Sequence, residues 1–407
     1  MRILYVTAVK PTLPNGMARF ESKLSAYVGA GAQVGVVCGV EPGDAPAPID
    51  GVEFFPVEVK ASRLPFSIVD ALDEAPVASV HDAKQVADVR AALEELFGER
   101  LDAVIGSFRP DVIICTHLTL MTSVVLDHAA GIPVAALNHS ICLHKFLNNE
   151  PTRQIIVDNV RRLELIFACY GAQRDLLVDE LGADASKVKV LTGGCDTSVF
   201  TMDGHREYRS SDAPQIDLVF TGKYTYKNGL GSLMNAVALL PCRPDTVNLR
   251  LCGKAENSFQ KAALELSMRE NPQNIIDCGY LSRDRVAEEY RRAQVFVSPA
   301  FYDELPLKIL EALACECKVV VTEVPGMRLW IEENVPGASV FYVEPPRMQG
   351  LDEPLKCDLA DFEQRMSDAI KQAVLAPLRP VDVSRLSWGK RIGCIVAECA
   401  KIVDKES

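Results

Sequence analysis

Positive charge is scarce in this 407-residue sequence: 43 Lys and Arg residues stand against 55 Asp and Glu residues, and the formal net charge is −12. A general nucleic-acid binder needs a basic field to collect phosphates, so this balance argues against that class and we expect no nucleic-acid partner. The same deficit weakens any broad attraction to anionic lipid. Peripheral membrane contact would therefore need a local basic patch.

Long apolar runs are also missing, since no stretch approaches the roughly 20 residues that a transmembrane helix needs. The first six residues run directly into a strand-like sequence without a small-residue cleavage site, so no signal peptide is expected. The 13 cysteines include no Cys-x-x-Cys pair, which argues against a zinc site. Several cysteines lie in apolar strand-like runs as small hydrophobes, and these features together predict a cytoplasmic protein with reduced thiols.

Two cofactor motifs are absent. No Gly-x-Gly-x-x-Gly turn follows the first predicted strand, which counts against an NAD enzyme. No Asp-x-Asp triplet is present to suggest a divalent ion. We therefore expect neither a nicotinamide cofactor nor a metal.

The composition that remains is that of a globular α/β protein. Hydrophobic residues make up 48% of the sequence, the mean hydropathy is +0.08, and the length is sufficient for two domains with separate cores. Short β-rich runs alternate with helical stretches, which predicts parallel sheets covered by helices. The predicted strands are residues 3–6, 34–38, 52–57, 112–116, 134–137, 165–168, 188–191, 218–220, 248–251, 275–278, 295–297 and 319–321. The predicted helices include residues 20–30, 83–97 and 173–181.

The strand pattern restarts after a polar stretch that has no hydrophobic periodicity, which indicates two doubly wound units joined by a linker. The boundaries predicted from this pattern are a first domain over residues 1–203, a linker over 204–214 and a second domain over 215–385. A final amphipathic helix is predicted over residues 386–407.

One segment, residues 299–315, places carboxylates around a helix start. Pro306 suits the first helical turn, because its missing N–H leaves nothing unsatisfied there. Asp303 and Glu304 then lie at or just before the helix N-terminus, and Glu311 lies inside the helix. The free N–H groups and the positive dipole end of such a helix suit a phosphate. Asp303 and Glu311 would hold hydroxyls at the two ends of the ligand.

Asp303 and Glu311, with seven residues between them, resemble the E-x7-E signature of the retaining GT-B glycosyltransferases of family 4, also called group 1. Asp303 stands where that family usually has Glu, which is one methylene longer. The resemblance covers nearly the whole chain and is strongest over residues 218–326. It implies an α/β protein of GT-B fold, whose two Rossmann-like doubly wound domains face each other across a cleft, with the acceptor on the first and the nucleotide sugar on the second. It also implies that the last helix, opened by Ser387 and Trp388, crosses back to the first domain.

Residues 218–229 resemble a family segment in which a Gly-Arg pair is followed by Glu-Lys-Gly. Lys223 occupies the Arg position after Gly222, and Asn228 occupies the Lys position, with Lys227 beside it. The resemblance implies that these cations neutralise the donor diphosphate as the sugar leaves, which can be among the largest catalytic effects in a water-poor site. Lysine lacks the bidentate fork of arginine, so the phosphate geometry would differ from that of the family. Lys227 is either a second cation or a solvated turn residue.

The first predicted domain also carries candidate site residues. The loop after the first strand ends in Asn15 and Gly16 and resembles the family loop in which glycine lets the backbone approach the donor phosphates; a glycine needed for a turn explains Gly16 equally well. His139 follows a buried strand, where open α/β sheets bind ligands, and resembles the family histidine that faces the transferred sugar. His117 has a similar position on the acceptor side, or is a hydrogen-bonded structural residue.

Four further residues complete the expected substrate-binding set. By resemblance, Gly253 follows a strand that ends in the nucleotide pocket, and Tyr280 lies where the family contacts the base. Glu304 and Leu307 lie at the helix N-terminus that would receive the phosphates.

The sequence therefore predicts a retaining, hexosyltransferase-type glycosyltransferase that moves a sugar from a nucleoside-diphosphate sugar, a UDP-sugar by default, to an unidentified hydroxyl acceptor. A role in glycan, glycolipid or glycoconjugate biosynthesis is expected, without a cofactor. The predicted catalytic residues are Asp303, Glu311, His139 and Lys223. Two alternatives stay open: a catalytically idle GT-B protein that binds a nucleotide or a partner, and a sugar-nucleotide epimerase on the same fold.

Overall fold

The computed structural model of the protein describes residues 1–8, 14–59, 83–138, 142–143, 150–191, 193–205, 215–243, 246–301, 307–349 and 353–406. The chain forms two compact units. The first combines Met1–Gly193 with Trp388–Ser407, and the second is Gly194–Ser387. Each unit has its own parallel sheet and its own apolar core.

The first unit is built on a seven-stranded sheet. Its strands are β1 (Arg2–Thr7), β2 (Gln33–Val40), β3 (Val52–Glu58), β4 (Val112–Cys115), β5 (Val134–Leu137), β6 (Leu165–Ala168) and β7 (Val188–Val190). The strand order is β3-β2-β1-β4-β5-β6-β7, and all neighbouring pairs are parallel. Strands such as β4 are apolar and buried along their whole length, as expected when both faces of a parallel sheet are covered.

Six described helices belong to the first unit, and one of them comes from the end of the chain. They are α1 (Pro14–Gly29), α2 (Ala83–Phe108), α3 (Leu120–His128), α4 (Glu150–Arg162), α5 (Gly171–Asp179) and α12 (Trp388–Glu406). Helix α12 packs on α1, where Lys23 Nζ lies 4.9 Å from the centre of the Trp388 ring. Tyr27 of α1 and Cys399 of α12 are both buried. None of the described helices is long and apolar enough to cross a membrane.

The second unit is built on a six-stranded parallel sheet with the order β10-β9-β8-β11-β12-β13, which is the doubly wound Rossmann arrangement. Its strands are β8 (Ile216–Lys223), β9 (Val247–Lys254), β10 (Asn274–Gly279), β11 (Val295–Ser298), β12 (Lys318–Thr322) and β13 (Val340–Val343). Its helices are α6 (Leu230–Ala238), α7 (Ser258–Glu270), α8 (Arg283–Arg292), α9 (Leu307–Ala314), α10 (Met327–Asn334) and α11 (Leu359–Leu375), with short 3-10 turns at Lys356–Asp358 and Ser384–Leu386. The predicted fold class of two Rossmann-like α/β domains is confirmed.

The second unit begins earlier in the chain than the predicted linker. Arg283 Nη2 of α8 donates to Asp196 Oδ2 at 2.7 Å, and Arg291 of the same helix donates to two main-chain carbonyls a few residues further on. Because these bonds tie the stretch to α8, the division between the units lies at Gly193. Residues 206–214 of the predicted linker lie outside the described part of the chain.

The predicted elements are present with shifted ends. All predicted strands occur, with each end within three residues of its predicted position, and β13 is an additional edge strand. Helix α2 continues to Phe108, beyond its predicted end at residue 97, and α1 begins at Pro14, before its predicted start at residue 20.

Candidate functional site

The strand order of the second sheet reverses between β8 and β11. Strands β9 and β10 lie on one side of β8, and β11, β12 and β13 lie on the other. In open parallel sheets, ligands bind at the carboxyl ends of the strands at such a switch point. The segments that follow these two strand ends are joined, since Phe301 N donates to Lys227 O at 3.0 Å. The candidate site is therefore the edge formed by the end of β8, the end of β11 and the start of α9.

Two glycines bring the ends of β8 and β9 close together. Gly222 and Gly253 are partners in the parallel register, and a Cβ on Gly253 would lie 1.8 Å from Gly222 O. The approach of the two backbones therefore requires glycine at position 253. Gly222 has φ +153°, and a Cβ there would lie 3.3 Å from Lys308 Nζ and 3.4 Å from the Phe220 ring.

Lys223 ends β8, and its ammonium group lies beside a carboxylate. Its Nζ is 3.4 Å from Glu256 Oε1, and the two side chains are 37% and 43% exposed. An ion pair this exposed contributes about 1 kcal/mol or less, so a bound anion could replace Glu256 at small cost. Asn228 Nδ2 donates to Lys223 O at 2.9 Å. Asn228, which stands at the lysine position of the family motif, thus stabilises the turn after β8 through its side-chain amide.

Lys308 is a further candidate at this edge, whose side chain the sequence analysis did not single out. It is the second residue of α9, and its Nζ lies against Gly222 at the end of β8. The two residues are 86 positions apart (308 − 222), so no local pattern joins them. The one available signal is the three-residue spacing to Glu311, which places both side chains on the same helix face.

Glu311 lies in α9 and is only 4% exposed. Burial raises the pKa of Cys195 and of Tyr290 above their ordinary values, and the negative charge of Glu311 raises both further. The Tyr290 hydroxyl shares a hydrogen bond of 2.8 Å with Thr221 Oγ1 in β8. The carboxylate predicted to hold ribose hydroxyls therefore lies among polar groups that reach to β8.

Three more predicted residues lie at or near this edge of the sheet. Tyr280 follows β10, is 42% exposed, and has Lys254 Nζ at 5.6 Å from its ring centre. Leu307 is the first residue of α9. Lys227 lies in the turn after β8, where its carbonyl accepts the bond from Phe301. Their contacts with a ligand remain predictions.

Two of the predicted residues, Gly16 and His117, lie in the described part of the first unit. His117 follows β4, and its Nδ1 lies 3.6 Å from Cys142 Sγ, while its carbonyl accepts from Thr122 Oγ1 at 2.6 Å. Gly16 lies in the first turn of α1, not in a loop as predicted, because the helix begins at Pro14. Proline is favoured at the first helical position, which accounts for the early start.

Three predicted residues, His139, Asp303 and Glu304, lie outside the part of the chain that the structure describes. Their roles stay predictions, as does the helical position of Pro306. Among the described residues, no group of three or more His, Cys, Asp or Glu side chains is placed to hold a metal ion.

Comparison with known proteins finds a family match within the second unit and relatives that match a larger part of the chain. Residues 215–354 match the family described as glycosyl transferases group 1. The D-inositol 3-phosphate glycosyltransferase of Paenarthrobacter aurescens is 27% identical over 286 residues, which are 66% of this chain and 66% of that protein. The chain spans between about half and two thirds of the length of the curated relatives that it matches.

Solved structures resemble the chain over its whole length. The sucrose-phosphate synthase of Thermosynechococcus elongatus has a TM-score of 0.69 at 15% identity, with 100% of both chains covered. Anabaena HepE in complex with UDP-glucose has a TM-score of 0.57 at 16% identity, with 100% of this chain and 99% of that chain covered. At these identities the likeness shows the fold alone, which is the GT-B fold of two Rossmann-like units.

Proposed function

Because the second unit is that of a group 1 glycosyltransferase within a GT-B fold, we propose that this protein transfers a sugar from a nucleoside-diphosphate sugar to a hydroxyl group, with the anomeric configuration retained. The observation that carries the proposal is the switch-point edge of the second sheet. There Lys223 ends β8, and Lys308, from the helix that holds the buried carboxylate of Glu311, has its ammonium group against Gly222. Such an edge suits a ligand with a diphosphate at one end and free hydroxyls at the other.

The proposed reaction is a substitution at the anomeric carbon. The bond from this carbon to the diphosphate oxygen breaks, and its electron pair leaves with the diphosphate. The acceptor oxygen forms the new bond on the same face, and its proton passes to the departing diphosphate. Because negative charge grows on the diphosphate as the bond breaks, cations and N–H groups fixed beside it lower the barrier.

The proposed residue roles rest on the family resemblance and, for Glu311, Leu307 and Lys223, also on their positions at this edge. Glu311 would accept hydrogen bonds from the ribose hydroxyls, and Asp303 from hydroxyls of the transferred sugar. The N–H groups of α9 from Leu307 onward, with Lys223, would bind the diphosphate. His139 would orient the sugar from the first unit.

The donor and acceptor are proposed from the similar proteins. A UDP-sugar is the first donor to test, since the Anabaena HepE structure holds UDP-glucose. A phosphorylated polyol is the first acceptor to test, since the relative from Paenarthrobacter aurescens is named for D-inositol 3-phosphate. The product would enter glycan, glycolipid or glycoconjugate biosynthesis in the cytoplasm, with peripheral membrane contact where the acceptor is a lipid.

The experiment that tests the proposal has a binding step and a turnover step. UDP, GDP, ADP and NAD are added to the full chain without metal, and the unfolding midpoint is measured for each. We expect one nucleoside diphosphate to raise the midpoint and NAD to leave it unchanged. The matching sugar nucleotides are then incubated with a panel of hydroxyl acceptors, and NMR reports the anomer of the product. An inverted product would contradict retention, and the absence of any nucleotide effect would contradict the donor site.

A second candidate, a protein that binds a nucleotide without transferring sugar, is favoured by two contacts. Lys223 lies beside Glu256, and the Asn228 amide is used by the backbone of the turn. Nucleotide binding without turnover of any sugar nucleotide would identify this case.

A further inference from the structure

Lys308 Nζ lies over a stretch of open backbone at the carboxyl edge of the second sheet. It is 3.3 Å from the point where a Cβ of Gly222 would be, and Gly222 pairs in register with Gly253. Neither glycine has a side chain to shield the edge from a ligand. The ammonium group thus faces the end of β8, which lies at the switch point where the strand order reverses.

Lys308 lies in the first described turn of its helix. The described part of α9 runs from Leu307, and its first turn contains no acidic residue. The N-terminus of a helix carries the positive end of the dipole, which disfavours a cation and favours an anion. Within the part of the chain that the structure describes, the Lys308 side chain forms no ion pair. A bound anion would interact favourably with both the Lys308 ammonium group and the helix N-terminus.

Lys223, the other lysine at this edge, has a carboxylate beside its ammonium group. Lys223 Nζ has Glu256 at 3.4 Å, and the amide of Asn228 is bonded to the Lys223 carbonyl. Lys308 of α9 therefore brings a second ammonium group to this edge, and among the described residues it forms no ion pair with a carboxylate.

We propose that Lys308 binds the diphosphate of the sugar nucleotide and stabilises the charge that develops on it as the sugar leaves. This inference rests on the proposed function, because it assumes that a nucleoside diphosphate occupies the switch-point edge. Lys308 then takes the part that sequence comparison assigns to position 228, where this chain has Asn. The helix dipole and the ammonium group act on the same phosphates.

The test compares nucleotides that differ only in their phosphates. The full chain is titrated calorimetrically with UDP, GDP and ADP, and the base that binds best is carried forward as its diphosphate, monophosphate and nucleoside. Lys308→Gln is expected to weaken diphosphate binding about 10- to 100-fold, the usual range for a hydrogen bond to a charged group. Nucleoside binding is expected to change less than about 3-fold, since no contact with the base is removed.

Two variants provide the controls. Lys308→Arg keeps the charge and is expected to retain diphosphate binding within about 10-fold, because the guanidinium differs in shape. Lys261→Gln removes an exposed lysine from α7 and is expected to bind like the unchanged protein. If Lys308→Gln lowers the unfolding midpoint, Lys308→Met, which keeps an apolar stem, repeats the comparison.

The outcomes separate the inference from the proposed function. If the unchanged protein binds no nucleoside diphosphate, the proposed function is overturned and the role of Lys308 with it. If it binds one and Lys308→Gln binds it equally well, the role of Lys308 alone is overturned. An equal loss for diphosphate and nucleoside also overturns it, since that loss would come from a general change in the site. A loss confined to phosphate-bearing ligands supports it.

Discussion

At the scale of single residues, close packing of two strand ends requires glycine at position 253. A Cβ at this position would lie 1.8 Å from Gly222 O, which is a backbone atom that cannot rotate away. Gly253→Ala should therefore destabilise the second unit by about 3 kcal/mol, the upper part of the range for overpacked sites. Urea unfolding followed by the fluorescence of Trp330, a buried residue of the second unit, measures this change.

Gly231→Ala is the matched control for that substitution. Gly231 lies in α6, and a Cβ there would have no atom within 4 Å. Because alanine restricts the unfolded chain and favours helix, this variant should be as stable as the unchanged protein or more stable by up to about 1 kcal/mol. A loss at Gly231 equal to that at Gly253 would show that close backbone packing is not the cause.

The site residues differ in how far the sequence could predict them. Glu311 and Lys223 stand in short motifs, so their neighbours in the chain identify them, and the resemblance to group 1 glycosyltransferases is confirmed. Lys308 has no such motif, because its importance depends on the fold bringing a helix start to a distant strand end. Asn228 occupies the lysine position of the family motif, and only the fold shows that its amide bonds to the turn after β8.

At the scale of elements, a histidine joins helices α2 and α3. His128 Nδ1 lies 2.7 Å from Asp102 Oδ1, and His128 Nε2 lies 2.5 Å from Glu94 Oε1. The hydrogen bond to Asp102 and then that to Glu94 raise the pKa of His128 above its ordinary value of 6.5. A raised pKa in the folded state means that protonated His128 stabilises the helix pair fully below pH 6.5. This contribution is lost as the pH rises through the folded pKa.

We therefore expect the first unit to lose stability, on the order of 1 kcal/mol, as the pH rises through the pKa of His128. NMR titration of the His128 ring protons should give a pKa above 6.5, and the double variant Asp102→Asn, Glu94→Gln should bring it down. His128→Gln should flatten the pH dependence of the unfolding midpoint. If the His128 ring of the unchanged protein has a pKa of 6.5 or lower, the proposed stabilisation by Asp102 and Glu94 is contradicted.

The same histidine explains why one helix is longer than the sequence predicts. The predicted end of α2 at residue 97 precedes Gly98, a residue that commonly ends helices. Gly98 instead lies against His128, and a Cβ there would be 3.1 Å from His128 Nε2. Gly98 therefore lies inside the helix, where its lack of a side chain leaves room for His128.

The strands were easier to predict than the helix ends, because buried parallel strands are continuous apolar runs.

At the scale of the whole molecule, the two units have separate cores and each contains one of the two tryptophans. Trp330 reports on the second unit and Trp388 on the first. A nucleoside diphosphate at 100 times its Kd stabilises the unit that binds it by about 2.7 kcal/mol. For a unit of this size we expect a rise of about 5–10 °C in the Trp330 midpoint and little change in the Trp388 midpoint.

This comparison uses the single-tryptophan variants Trp388→Phe and Trp330→Phe, each scanned by fluorescence with and without ligand. Adenosine, guanosine and uridine without phosphates serve as controls and should shift the Trp330 midpoint less. Equal shifts of both tryptophan midpoints would mean that the units unfold together, contrary to the separation of their cores.

The sequence was sufficient to predict two doubly wound domains, because the strand pattern restarts midway. It did not show that residues 194–203 are tied to α8, since that depends on arginine contacts made only after folding.

The return of α12 to the first unit has a consequence for biosynthesis. When Gly193 leaves the ribosome, the first unit still lacks the helix that covers α1, and about 200 further residues must be translated before Trp388 appears. At common rates of synthesis this takes about 10–40 s. During that interval α1 can pack on its own sheet, where Tyr27 lies against Tyr5 of β1, but the side of α1 that α12 covers stays without its partner helix. The nascent first unit therefore stays partly uncovered while the whole second unit is translated, and it is the part of the chain that would need a chaperone.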